Sequence, residues 1–122
     1  MKLVYFSLTG QTRRFVKKIG MESVEITPTN PFLTVDEPYL LIVPTYEREI
    51  TEPVNDFLEY ETNLKQCKGV IGGGNRNFAD LFIYTAKDIC RDYDLPLLYA
   101  FEFNGTMEDV EFMKKVVSEL ES

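Results

Sequence analysis

The chain contains no histidine at all. That removes most zinc sites, the Ser-His and Cys-His nucleophilic pairs, and the commonest general base. Cysteine is almost as scarce: Cys67 and Cys90 stand far apart and form no C-x-x-C pair. Such spacing supports two separate thiols rather than a disulfide or a metal site. The apolar runs are only a few residues long, too short to cross a bilayer. Met1-Lys2 leads straight into apolar residues and leaves no room for a signal peptide, so a cytoplasmic protein is expected. Basic side chains are outnumbered, 13 against 20 acidic, for a net charge of −7. A surface of that sign repels phosphate backbones and argues against nucleic acid as a partner. The acidity serves solubility or the steering of a basic partner protein. With these catalytic groups missing, the chemistry is expected to be brought by a cofactor.

What is present suffices for one core. The chain has 122 residues, 44% hydrophobic and 13% aromatic, and reads as a single domain over 1–122. Leu3–Phe6, Ser23–Ile26, Tyr39–Val43, Gly69–Ile71 and Leu97–Phe103 are short strand candidates without clear alternation, which suits burial on both faces. Helical spacing lies between and after them. Phe15, Val16 and Ile19 form one face, ended by Gly20. Thr51 is expected to cap a second helix carrying Val54, Phe57 and Leu58, with Pro53 in its first turn. A third is expected from about Phe78 to Tyr93, with Phe78, Phe82, Ala86, Ile89 and Tyr93 on one side. Thr106 to Asp109 caps the last, whose inner face is Val110, Met113, Val116, Val117 and Leu120. The order β-α-β-β-α-β-α-β-α predicts a doubly wound five-stranded parallel sheet of order 2-1-3-4-5, with helices on both faces.

In such sheets ligands bind beyond the carboxyl ends of the strands, where the strand order reverses. Three loops leave from those ends. Ser7, Thr9, Gly10 and Thr12 crowd the turn before the first helix, where free N–H groups and the helix dipole favour a phosphate monoester. Thr45 to Ile50 carries Tyr46 just beyond the most apolar strand. Gly72-Gly73-Gly74-Asn75-Arg76-Asn77 reads as a loop whose glycines admit a flat ligand, with amides to read a ring edge and Phe78 to stack on its face. Each feature has an ordinary structural reading as a cap, a turn or a surface charge. Their convergence on one crevice favours a ligand.

Ser7-Leu8-Thr9-Gly10-Gln11-Thr12 resembles the FMN-phosphate loop of flavodoxins, S/T-x-T-G-x-T. Gly74-Asn75-Arg76-Asn77-Phe78 is similar to the more specific G-N-R-N-[FW] signature of the NrdI proteins, small flavodoxin-like partners of class Ib ribonucleotide reductase. Agreement extends to Val35–Pro44 and Phe101–Thr106, and so to almost the whole chain. The resemblance implies an FMN electron carrier, a redox accessory to a reductase rather than a stand-alone enzyme. In that family the reduced flavin reacts with dioxygen, and the oxidant formed helps build the dimanganese-tyrosyl radical cofactor of the reductase small subunit. A separate protein would donate the electrons. By position, Ser7, Thr9, Gly10 and Thr12 would hold the phosphate, with Leu8 and Gln11 in the same cofactor-binding loop. Thr45 and Tyr46 would line one side of the ring, and Gly73, Gly74, Asn75, Arg76, Asn77 and Phe78 the other side and the edge.

One loop departs from the family pattern. Thr45-Tyr46-Glu47-Arg48-Glu49-Ile50 lacks the usual glycine and adds two carboxylates. Residues other than glycine resist the positive φ that a turning peptide needs there. One carboxylate at about 6 Å in a wet site disfavours an anionic reduced ring by roughly 0.7 kcal/mol. That is on the order of 30 mV for a one-electron couple. The alternative expectation is therefore a divergent interaction protein of the same fold with lost or weakened flavin binding. A phospho-acceptor receiver fits poorly, because Val43-Pro44 stand where its aspartate would be needed.

Overall fold

The computed structural model describes all residues, Met1–Ser122. Five strands, β1 (Lys2–Phe6), β2 (Ser23–Ile26), β3 (Tyr39–Val43), β4 (Cys67–Gly74) and β5 (Leu97–Glu102), pair in parallel in the order β2-β1-β3-β4-β5. The helices are α1 (Gln11–Ile19), α2 (Arg48–Glu59), the single turn α3 (Asn63–Gln66), α4 (Tyr84–Tyr93) and α5 (Met107–Glu121). The predicted strand order is the observed one.

The missing alternation has a plain cause, because both faces of the sheet are covered. Val4 and Phe6 face one layer, with Val54, Phe57 and Leu58 of α2 and Ala86 and Ile89 of α4. Leu3 and Tyr5 face the other, with Phe15, Val16 and Ile19 of α1 and Val110, Met113 and Val117 of α5. Every side chain of central β3 is buried. Gly20 ends α1 in the left-handed conformation, and Thr106 and Asp109 form a reciprocal capping box on α5. Both thiols are free, and burial raises Cys90 to about 11 and Cys67 above its ordinary value.

Four boundaries differ from those expected. First, Gly72, Gly73 and Gly74 are not a loop: β4 runs through them and pairs with both β3 and β5. They are small because neighbours press on them. A Cβ on Gly72 would lie 2.7 Å from Ala86 Cβ, and one on Gly73 2.6 Å from Phe101 Cζ. Second, no continuous helix spans Phe78 to Tyr93. A 3₁₀ segment, Arg76–Leu81, kinks at Ala79 and α4 begins only at Tyr84, after Ile83 takes φ 57°. The expected stripe therefore divides, with Ala86 and Ile89 buried and Phe78 62% exposed. Third, α2 starts at Arg48, so Thr51 is interior and Pro53 falls in the second turn. The Glu47 carbonyl accepts from Ile50 N–H (2.9 Å) and Thr51 N–H (3.2 Å), which places the cap on Glu47. Fourth, β5 ends at Glu102, and Phe103 leaves it with φ 54°.

Candidate functional site

The first loop is folded by one hydroxyl. Ser7 Oγ accepts from the N–H groups of Gly10 (3.1 Å) and Arg13 (3.3 Å). Gly10 turns the chain at φ 95°, a conformation that favours glycine. The Gly10 carbonyl accepts from Arg14 N–H. The N–H groups of Gln11 and Thr12 are left without a partner at the positive end of α1. Gln11 Oε1 is the one buried side-chain polar atom with no hydrogen bond. Arg13, the nearest cation in sequence, is already engaged: its Nε and Nη2 donate to Glu25 at 3.1 and 2.6 Å. The Arg13 hydrogen bonds hold the Glu25 carboxyl below its ordinary range, and Tyr5 O–H adds another at 3.1 Å. The backbone N–H groups of Gln11 and Thr12 are therefore the free main-chain donors this turn offers an anion.

The second loop is pinned from both sides. Thr45 O–H donates to the Gly73 carbonyl (2.7 Å), and Tyr46 O–H reaches Thr9 Oγ (3.4 Å) across the mouth of the site. Buried Thr85, at the start of α4, accepts from Tyr46 N–H (3.1 Å) and donates to the Tyr46 carbonyl (2.9 Å). In the third loop Asn75 Oδ1 accepts from Asn77 N–H. Arg76 packs its guanidinium 4.6 Å from the Phe82 ring centre and pairs with Glu102 at 3.3 Å.

These loops meet. A cavity of about 670 Å³ lies beyond the carboxyl ends of β1, β3 and β4. Its volume falls in the range of sites for drug-sized ligands and cofactors. Of the residues singled out in the sequence, Ser7, Leu8, Thr9, Gln11, Thr12, Thr45, Tyr46, Gly73, Gly74, Asn75 and Phe78 line it. Gly10, Arg76 and Asn77 lie off the wall: Gly10 shapes the first turn, and Arg76 fastens the third loop to β5. Pro44, Glu47, Ile50, Leu81, Tyr84 and Phe103 also line the cavity and were not among the site residues assigned from the sequence. Glu47 and Ile50 had a signal, since they belong to the second suspect loop. Leu81 and Tyr84 had none, because the expected continuous helix concealed the break that turns them inward. Burial, then the carboxylates of Glu47, Asp88 and Glu49, raise the Tyr84 phenol above its ordinary value, so this rim is acidic.

The break itself is strained. Ala79 holds φ 50° and ψ −116°, which glycine adopts far more readily than alanine. Ala79→Gly is expected to stabilise the protein by about 1 kcal/mol, strain relief exceeding the backbone entropy cost of glycine. A thermal melt reads this as a rise of roughly 3–5 °C. A fall would place the strain elsewhere.

The walls fit a flavin mononucleotide in three respects. Unpaired N–H groups await an anion, an orphaned Gln11 acceptor awaits a donor such as a ribityl hydroxyl, and aromatic walls border the remaining space.

Comparison with known proteins agrees with this geometry. The family model described as NrdI Flavodoxin like matches residues 3–115. Protein NrdI of Bartonella henselae is 40% identical over 116 residues, covering 91% of this chain and 88% of that protein. Protein NrdI of Bartonella quintana is 42% identical over the same span and coverage. Among solved structures, a short-chain flavodoxin associated with a non-canonical PDU bacterial microcompartment has the same fold, with TM-score 0.59 and 20% identity over 90% of this chain and 88% of its own. No helix is long and apolar enough to cross a membrane. Family match, strand order and cavity agree: this chain belongs to the NrdI flavodoxin-like family.

Proposed function

We propose that this protein is an FMN-binding electron-transfer flavoprotein of the cytoplasm that serves a class Ib ribonucleotide reductase. The observation that carries the reading is the cavity of about 670 Å³ at the reversal of the sheet, bordered by the loop with unpaired α1 N–H groups and by the aromatic side chains Tyr46, Phe78, Tyr84 and Phe103. Bound FMN would supply one- and two-electron chemistry and reactivity of its reduced form with dioxygen. The protein's share is to bind and orient. Gln11 and Thr12 N–H, with the hydroxyls of Thr9 and Thr12, hold the phosphate. Tyr46 and Phe78 would flank the ring, and Gly74 and Asn75 would border its edge. Leu8, Ile50, Phe78, Leu81 and Phe103 are exposed at the mouth and restrict water there. A separate protein donates the electrons. The oxidant formed from dioxygen would pass to the dimanganese site of the reductase small subunit and support its tyrosyl radical.

The test is titration of the purified protein with FMN and with riboflavin. The phosphate contacts are expected to be worth about 3 kcal/mol, so FMN should bind more than a hundredfold tighter. The complex should be yellow and bleach with dithionite. Reduced complex, added with dioxygen to manganese-loaded small subunit, should yield the radical signal by electron paramagnetic resonance. Protein that takes up no FMN but still captures the reductase would favour the divergent interaction protein instead.

A further inference from the structure

We propose that Thr85, which does not touch the cavity, is a positioning residue that sets the polarity of the second loop toward the flavin ring. The inference rests on the FMN reading above. The glycine-free loop has an unusual anchor: one buried hydroxyl spends both its hydrogen-bonding roles on one residue, accepting from Tyr46 N–H (3.1 Å) and donating to the Tyr46 carbonyl (2.9 Å). All peptide bonds are trans. In a trans peptide the C=O and the following N–H point in opposite directions. With the Tyr46 carbonyl drawn to α4, the Glu47 N–H is turned away from it. That N–H has no partner within the protein, and Glu47 lines the cavity whereas Thr85 does not. At the Tyr46–Glu47 peptide the loop thus offers the ligand its N–H and withholds its carbonyl.

This polarity discriminates between redox states. The edge of an oxidised flavin presents acceptors, N5 among them. Reduction by two electrons from an external reductant, with a proton taken up at N5, makes that atom an N–H donor. A peptide that presents its N–H and withholds its carbonyl favours the oxidised ring. Reversing it would require the peptide to rotate, which costs the Thr85 hydrogen bond and carries residues without glycine's freedom through disfavoured φ. Thr85 therefore holds the potential down through the backbone of Tyr46 and Glu47.

Thr85→Val keeps the shape and removes the hydroxyl, and Thr85→Ser restores it. In the ligand-free protein, Tyr46 amide exchange should accelerate at least tenfold in T85V and return to wild-type rates in T85S. In the FMN complex, the ratio of reduced-state to oxidised-state affinity should rise about tenfold in T85V, a two-electron potential about 30 mV higher, with T85S close to wild type. Unchanged Tyr46 exchange would refute the clamp whatever the flavin does. Faster exchange with an unchanged potential would refute the polarity argument and leave the FMN reading standing. Wild-type protein that binds no FMN would overturn the functional reading, and this inference with it.

Discussion

Asn63→Leu is expected to lower stability by about 4 kcal/mol, because it strands one buried and one partly buried backbone group at roughly 1–3 kcal/mol each and breaks a third bond. Asn63 is fully buried. Its Oδ1 accepts from Val35 N–H (2.9 Å), and its Nδ2 donates to the carbonyls of Leu33 and Phe57 (2.8 Å each). Its own carbonyl accepts from Tyr39 O–H (2.7 Å), which the substitution spares. The Phe57 carbonyl keeps a second donor, Tyr60 N–H, while Val35 N–H and the Leu33 carbonyl keep none. One amide thus fixes the long connection between β2 and β3 against the end of α2. A domain of this length is stable by on the order of 10 kcal/mol, so the loss is a large fraction of the whole. The urea midpoint should fall with little change in slope, and the melting temperature by roughly 15 °C. Asn63 opens α3, which leads into the start of β4, and the cavity lies past the far end of that strand, so FMN affinity per folded molecule should not change. A stability loss below about 1 kcal/mol would mean that water or a shifted loop satisfies the stranded groups.

The sequence reading and the structure part company at identifiable physics. Tyr39–Val43 and Leu3–Phe6 were legible as strands because burial on both faces leaves an apolar run with no polar interruption. The first loop was legible because serine, threonine and glycine before a helical pattern have one common use. Asn63 was not, since an asparagine after Glu61-Thr62 looks like any turn residue and its partners lie far off in sequence. The break between Asn77 and Tyr84 was equally silent: no proline or glycine marks it, and a β-branched residue, Ile83, takes the left-handed position. Phe103 read as a strand residue because aromatics favour strands, yet it turns out at the mouth of the cavity. The glycines misled in the opposite sense. Locally three in a row signal a loop, but here their missing side chains are demanded by α4 and Phe101, which only the tertiary structure brings near.

That demand gives the second large expected effect. Gly72→Val should destabilise by about 3 kcal/mol, the upper end for overpacking, and weaken FMN binding about tenfold. The first added atom would stand 2.7 Å from Ala86 Cβ and 3.0 Å from Ile83 Cβ. Ala86 Cβ has no rotamer through which to retreat, and Ile83 is fixed by its left-handed backbone. Relief therefore requires α4 to move off β4. The start of α4 carries Tyr84, which lines the cavity, and Thr85, which holds Tyr46, so a packing fault inside the sheet reaches the ligand through the helix. A compensating pair separates this route from general damage. Gly72→Ala alone should cost about 2 kcal/mol, and Ala86→Gly alone about 1 kcal/mol or more from helix propensity and lost contact. Together they exchange one methyl across the same gap, and the double variant should recover at least 1 kcal/mol of the sum. FMN affinity should recover with it. Strict additivity in stability would show that α4 and β4 do not meet through these two positions, and that Gly72 serves the strand alone.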